Sequence, residues 1–276
     1  MNQNIYEIFH LSFPQLAISK EQFEREIHLS SCQCLTAEED GKLAGFSLIQ
    51  GNTVMLLCVL SEFRGKGIGS KLLSQSEDAI KQAGFQRAVL GLGEHTYLFQ
   101  GVPMFCEETV HFFEKRGYKA DEISVDMSMP LGTFSKDKCS IHPCTGDVSF
   151  RYVTPEEHEQ LLSAVKQAEP DWTHYFEHIS CPVLVAVENG EILGFCIVNP
   201  DGAPLFADTG EIGCVGVIPS ARKRGIGLQM VAAATEELQR KGCKNGFLGF
   251  TYLEHWYAKL GYRACIRYWM GEKELD

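Results

Sequence analysis

The chain repeats itself. Residues 59–69 read VLSEFRGKGIG and residues 217–227 read VIPSARKRGIG, an offset of 158 residues from Arg64 to Arg222. The same offset pairs Gly84 with Gly242, Leu90 with Leu248 and Gly91 with Gly249. Upstream, GKLAGF at 41–46 matches GEILGF at 190–195, and downstream FFEKRGY at 112–118 matches WYAKLGY at 256–262. Order is kept while spacing changes, as in a duplicated domain whose loops have diverged. Two copies are too few for a solenoid, and each is long enough to bury its own core. The expected division is 1–131, a polar connector at 132–147 (GTFSKDKCSIHPCTGD), and 148–276.

Each copy carries the same run of signals. Glu21–Leu29 and Pro155–Ala168 have helical spacing. Lys42–Gln50 and Ile192–Asn199 read as strands entered through Asp40-Gly41 and Asn189-Gly190, which are hairpin dipeptides. Thr53–Leu60 and Glu211–Ile218 read as the next strands, each followed by a glycine-rich turn and a long helix. Ile68, Leu72, Leu73, Ala79, Ile80 and Ala83 make one apolar stripe; Ile226, Met230, Val231, Ala234 and Leu238 make the other. Short strands at Arg87–Gly91 and Gly246–Phe250 precede helices at Val110–Arg116 and Glu254–Leu260, ended by Gly117 and Gly261. A final strand pair is expected after each. The fold class is therefore α/β in the α+β sense: two mixed, twisted sheets flanked by helices.

Composition narrows the partners. With 25 basic against 36 acidic residues, the net charge of -11 disfavours nucleic acid and mildly favours cationic substrates. The longest apolar run, Val54–Leu60, is seven residues, far short of the roughly 20 that span a bilayer. No secretory signal is expected, since the first basic residue is Lys20 and Glu7 occupies the early region. Eleven cysteines, an odd number scattered in apolar runs, fit reduced thiols in a cytoplasm better than a disulfide framework. Cys139, His142 and Cys144 are too few for a zinc site, and no metal is expected. A monomer or a homodimer is expected, without membrane attachment.

The glycine-rich turns carry the chemistry. A helix start offers unpaired N–H groups and the positive end of its dipole, and glycines let a phosphate approach that backbone. Arg64-Gly65-Lys66-Gly67-Ile68-Gly69-Ser70 and Arg222-Lys223-Arg224-Gly225-Ile226-Gly227-Leu228 stand at such starts. Neither is a Walker loop, and the dinucleotide fingerprint is missing. A solvated glycine-rich helix entry would explain one such stretch more easily than two in the same context.

R-x-x-G-x-G after an apolar strand, then a helix, then Tyr-x-x-x-Gly-Tyr, resembles the GNAT acyltransferase superfamily, and the resemblance covers nearly the whole chain outside the connector. It implies that two central strands splay apart in each copy and that acetyl-CoA (CoA) lies in the gap. Loop amides would hold its pyrophosphate, and the pantetheine arm would pair with a splayed strand. Carried onto this chain, the contacts are Val215 and Val217 with the loop Arg222–Leu228, and Leu57 and Val59 with the loop Arg64–Ser70. The Asn that many members carry before the last helix is not evident near Phe250–Leu253.

The resemblance also points to the reacting copy. An alkylamine has a pKa near ~10 and must lose a proton before it attacks. Glu211 lies where a subset of the family places its general base, and Tyr257 where many place a tyrosine acid. Their counterparts are Thr53 and Phe113, which cannot move the proton. Catalysis is therefore expected in the later copy, with the earlier one degenerate. The ordinary alternatives are a strand-edge carboxylate for Glu211 and a packed aromatic for Tyr257. Asp171, Trp172 and Tyr175 lie where the family builds its acceptor wall, and helix packing explains them about as well. His255 beside Glu254 reads as structural. His95–Pro103 is an insertion of the first copy, either a lid or an interdomain contact. The activity expected is an acetyl-CoA-dependent N-acetyltransferase acting on a small-molecule amine by direct attack. The alternatives are a non-catalytic acyl-CoA-binding protein and transfer to a protein amine.

Overall fold

The computed structural model describes every residue except 1, 17, 28, 94–97, 106, 203–205 and 276. The expected lid residues His95, Thr96 and Tyr97 lie outside the described residues. The chain forms two compact units. The first comprises Met1–Ser124, Pro204–Ala207 and Ile266–Asp276; the second comprises Val125–Ala203 and Asp208–Cys265.

In the first unit α1 (Asn2–Ser12) and α2 (Lys20–Ile27) precede a meander of β1 (Gln33–Glu39), β2 (Lys42–Gln50) and β3 (Thr53–Val59). The β1–β2 turn has φ +53° at Asp40 and +73° at Gly41, a geometry that suits Asp-Gly because both residues must be left-handed. Then follow α3 (Ile68–Gln82), β4 (Arg87–Leu90), β5 (Val102–Pro103) and α4 (Glu107–Glu114). The last helix starts earlier than the periodicity predicts, with Glu107 and Glu108 in its first turn, where carboxylates suit the helix dipole. Of the predicted α3 stripe, Ile68, Leu72, Leu73 and Ile80 are buried. Ser76 is buried with them because its hydroxyl bonds the Leu72 carbonyl and meets the Ser47 hydroxyl at 2.8 Å.

The second unit opens with β6 (Ile123–Pro130, in this unit from Val125) and β7 (Ser149–Tyr152), then α5 (His158–Ala168) and α6 (Thr173–Glu177). It continues through β8 (Val183–Glu188), β9 (Glu191–Asn199), β10 (Thr209–Val217), α7 (Ile226–Arg240), β11 (Asn245–Thr251) and α8 (Glu254–Tyr257) into β12 (Arg263–Trp269, in this unit up to Cys265). The predicted helix to Leu260 finishes as a tight 3₁₀ turn over Ala258–Leu260. The hairpin device recurs, with φ +51° at Asn189 and +82° at Gly190. Met230, Val231, Ala234 and Leu238 of α7 face Phe195, Ile212 and Leu248 in one buried core. Each of these side chains except the small Ala234 contributes roughly 1.5–3 kcal/mol on burial.

The units are not the contiguous segments 1–131 and 148–276 expected from the sequence. Each completes its sheet with a strand from the far half of the chain. In the second unit β6 pairs antiparallel with β11, from Asn245↔Pro130 to Thr251↔Val125. In the first, β13 (Glu272–Glu274) pairs antiparallel with β4, Lys273 opposite Ala88. Alternation dictates which face a strand buries and says nothing about which sheet receives it. Both sheets are otherwise antiparallel meanders with one parallel step, β3–β4 and β10–β11.

Two ion pairs anchor these elements and make predictions. Lys273 Nζ lies 3.0 Å from both carboxylate oxygens of Glu77 on α3, with side chains 26% and 17% exposed. Lys273→Ala is expected to cost about 1–2 kcal/mol, between the values of surface and buried pairs; urea denaturation showing no change would sink this. Before α5, Arg151 forks onto Glu157 at 2.7 and 2.5 Å, and the Thr154 N–H reaches the same carboxylate at 3.0 Å. The guanidinium holds the Glu157 pKa down to about 2 from its ordinary 4.5. A depressed acid stabilises the fold above its unfolded value and loses that contribution as pH falls through the folded one. The pair is solvent-screened, so Glu157→Gln is expected to cost at most about 1 kcal/mol at pH 7. The deficit should shrink between pH 4.5 and 2, measured against the parent chain by denaturation at each pH.

Candidate active site

β10 and β11 run parallel for three residue pairs only: Thr209↔Asn245, Gly210↔Gly246 and Glu211↔Phe247. Beyond Glu211 they part. β10 bulges between Gly213 and Gly216, with Cys214 at φ +48°. β11 is irregular between Leu248 and Thr251, with Phe250 at φ +50°. The Phe250 N–H is held by the Asp126 carboxylate of β6 at 3.1 Å, a side chain only 2% exposed.

The gap is a cleft of about 390 Å³ lined by Val215, Gly216, Val217, the loop from Arg222, Leu253, Trp256 and Tyr257, with Ala168, Glu169 and Trp172 on one side. Cofactor-sized pockets run from about 300 to 1,000 Å³. On the other edge of β10, Ile218 N–H bonds Leu193 C=O at 2.9 Å, in register with Gly216↔Phe195. Strand alternation therefore turns the peptide edges of Val215 and Val217 toward the gap. α7 starts at Gly225, left-handed at φ +82°, with no side chain capping its first amides. Those amides are what an anion would meet. Lys223 is also left-handed, at φ +64°, where the first copy has Gly65 at +78°; a non-glycine residue there costs roughly 1–2 kcal/mol.

The loop's basic side chains do different work from one another. Arg222 donates through Nε to the Val217 carbonyl at 3.1 Å and through Nη2 to Ala168 at 3.2 Å. Arg64 does the same to Val59 at 3.0 Å. The arginine that begins each motif thus buckles the loop back onto its strand. Arg224 does not line the cleft; it pairs with Glu188 at 2.6 Å and with the Thr145 carbonyl. Lys66, its counterpart, turns to Glu39 at 3.9 Å and likewise lies outside its cleft. Ile68 is also absent from the first cleft's lining, its side chain being buried in the core. Val215, Val217, Arg222, Lys223, Gly225, Ile226, Gly227 and Leu228 all reach the second cleft.

Tyr257 borders the cleft and is 7% exposed. Burial raises its pKa, so it stays protonated through the neutral range. Glu211 is half-buried at the apex where pairing stops, outside the cleft lining. Its charge bears on Cys214, whose thiol is pushed up to about 12, chiefly by burial. Trp172 reaches the cleft, whereas Asp171 is exposed and Tyr175 stacks on His174; neither lines it. His255 is exposed and outside it. Sequence reasoning missed Glu169, Leu253 and Trp256. Trp256 was legible through the repeat, since it packs over Gly227 as Phe112 packs over Gly69.

The first unit has the same walls around a larger cleft of about 830 Å³, lined by Leu57, Val59, Arg64, Gly65, Gly67, Gly69 and Ser70 among others. The Phe113 ring is buried where Tyr257 stands. Arg116 enters this cleft, stacks 3.6 Å from the Phe112 ring centre and bonds the Ser70 hydroxyl. The second unit has Leu260 and Leu228 at these two positions. No group of three metal-ligating side chains occurs among the described residues.

A mixed sheet with a splayed parallel pair, a glycine loop and an uncapped helix start thus recurs in both units. Residues 150–262 match the acetyltransferase (GNAT) family, and residues 10–100 match an acetyltransferase (GNAT) domain. The chain belongs to the GNAT acetyltransferase family and carries two of its domains in tandem. The whole chain is similar in fold to a glucosamine N-acetyltransferase region of a fungal multidomain β-N-acetylglucosaminidase, with TM-score 0.84 and 21% identity. That match covers 98% of this chain and 36% of the fungal one, so the chain spans about a third of that protein's length. A GCN5-related N-acetyltransferase from Sphaerobacter thermophilus gives TM-score 0.76 at 18% identity, covering 98% and 91% of the two chains. A tandem GNAT protein of the clavulanic acid biosynthesis pathway gives 0.66 at 14%, covering 98% and 96%. No curated protein matches. At these identities the likeness is one of fold.

A Cβ on Gly227 would lie 3.0 Å from the Trp256 ring. Gly227→Ala is therefore expected to overpack this contact and cost about 1–3 kcal/mol of stability. Urea denaturation showing no loss would mean that the ring moves aside freely.

Proposed function

We propose that the chain is an acetyl-CoA-dependent N-acetyltransferase that acetylates a small-molecule amine, with the chemistry in the second unit. The observation that carries this is the splay of β10 from β11 after Glu211, with Tyr257 on the cleft wall. The cofactor fits the residues present. The edges of Val215 and Val217 can take the pantetheine amides as an added strand. The amides at the start of α7 can take the diphosphate. Bound acetyl-CoA supplies an acetyl thioester. The Val215 N–H, on the open edge, is the donor for the developing oxyanion. Glu211 draws the proton from the incoming amine, through water, since it stands at the apex and not in the cleft wall. The Tyr257 hydroxyl hydrogen-bonds the departing sulfur. Full proton transfer to a thiolate of pKa about 8.5 is uphill from a tyrosine raised by burial, so the hydrogen bond is its larger contribution.

The first unit keeps the binding walls and lacks the reacting pair, so its role in this reading is to hold the same carrier without turnover. Trp172, on the cleft margin, and the exposed Asp171 just before it begin the wall for an amine, with Tyr175 behind them. The net charge of -11 suits a cationic acceptor. The described cysteines are all free, which suits a reducing cytoplasm. No helix among the described residues is long and apolar enough to cross a membrane.

The test is thiol release from acetyl-CoA with an amine panel. Tyr257→Phe is expected to lower kcat about 10- to 100-fold with KM for acetyl-CoA unchanged. Glu211→Gln should lower kcat similarly. Thr53→Val and Phe113→Leu in the first unit should leave kcat within twofold. Absence of thiol release above background with every amine would leave a carrier-binding protein without catalysis.

A further inference from the structure

The two glycine loops share a sequence pattern and differ in what covers them. In the first unit a Cβ on Gly65 or Gly67 would meet nothing within 4 Å. In the second, a Cβ on Gly225 would lie 3.2 Å from the Pro143 carbonyl and 3.6 Å from that of His142. The connector runs along this loop and is bonded to it at three points. The Thr145 N–H donates to the Arg224 carbonyl at 3.0 Å. Arg224 returns two bonds to the Thr145 carbonyl, at 2.7 and 3.1 Å, while pairing with Glu188 at 2.6 Å. Gln229, in the first turn of α7, donates to the His142 carbonyl at 2.8 Å. Gly146, at φ +100°, lies so close to the Arg224–Glu188 pair that no side chain fits there.

We propose that connector residues 142–146 are a strap that holds the second unit's diphosphate loop in its binding conformation, with Arg224, Glu188 and Gln229 as positioning residues and not phosphate ligands. This deepens the acyl-carrier reading and rests on it for the identity of the ligand. The physical reason is one of population. A loop that must align several amides on one anion binds in proportion to the fraction of time it is aligned. A left-handed Lys223 two residues before a left-handed Gly225 is a conformation that a free loop leaves readily, and external bonds keep it populated. The strap grips from the far side of the loop: Arg224, its main anchor, does not line the cleft. The carrier would therefore find the amides already placed.

The experiment uses the full chain and its Gln229→Ala and Glu188→Gln variants. Amide hydrogen exchange is followed in peptides covering 223–229, first without ligand and then along a CoA titration. This segment reads the second cleft by itself, and the peptide covering 65–71 serves as the internal control. The strap requires exchange about tenfold faster at 223–229 in both variants without CoA, a midpoint for CoA protection about five- to tenfold higher, and no change at 65–71. With an amine acceptor, KM for acetyl-CoA should rise by the same factor while kcat falls less than twofold. Unchanged exchange or an unchanged midpoint would overturn the strap. So would tighter CoA binding in Glu188→Gln, because Arg224 would then be a phosphate ligand that Glu188 holds off. If CoA at millimolar levels never protects 223–229 in the parent chain, the acyl-carrier reading fails; the exchange rates without ligand still decide whether the connector orders the loop.

Discussion

The parting of β10 from β11 after Glu211 is the constraint on which the site depends. A parallel pair left to itself continues its ladder, so divergence has to be imposed. Two irregularities impose it, Cys214 on one strand and Phe250 on the other, each at a positive φ. Such residues cost roughly 1–2 kcal/mol apiece. On the β11 side the cost is offset by a hydrogen bond from the Phe250 amide to a buried carboxylate, a kind worth about 1.5–3 kcal/mol. That carboxylate, Asp126, stands on β6, a strand from the earlier half of the chain. The exchanged strand therefore does more than complete a sheet: it holds open the edge on which a carrier can lie.

Duplication supplied two such frames, and side-chain replacement separated their uses. The buckling arginine, the left-handed glycine at the helix start and the aromatic over the next glycine recur in both units. These features build the cleft. Several side chains in and beside it do not recur. A glutamate and a tyrosine in one unit are Thr53 and Phe113 in the other, and a Ser70–Arg116 contact in one is a pair of leucines in the other. Backbone geometry is shared because the fold needs it; these side chains were free to diverge because the fold does not need them.

Much of this was legible before any coordinates. The hairpin dipeptides, the helix stripes and the strand–loop–helix order follow from local rules, because turn geometry and amphipathic spacing act over a few residues. The loop residues were legible as a group, yet Arg224 and Lys66 read as phosphate cations and face glutamates instead. Positive charge beside a glycine loop does not reveal which way a long side chain points. Glu169 and Leu253 were not legible, since each reaches the cleft from a separate element and carries no motif of its own, whereas Trp256 could be read from the repeat as the counterpart of Phe112.

By itself the sequence determined that two similar α/β units would form and that each would present amides at a helix start, for these follow from φ preferences and periodicity along a continuous stretch. Tertiary structure alone decided which strand enters which sheet, because hydrogen bonding between strands depends on partners far apart in the chain. It also decided that the connector lies on one glycine loop and leaves the other bare. That choice depends on carbonyls and amides meeting across 79 and 87 residues of chain, a relation no local pattern encodes.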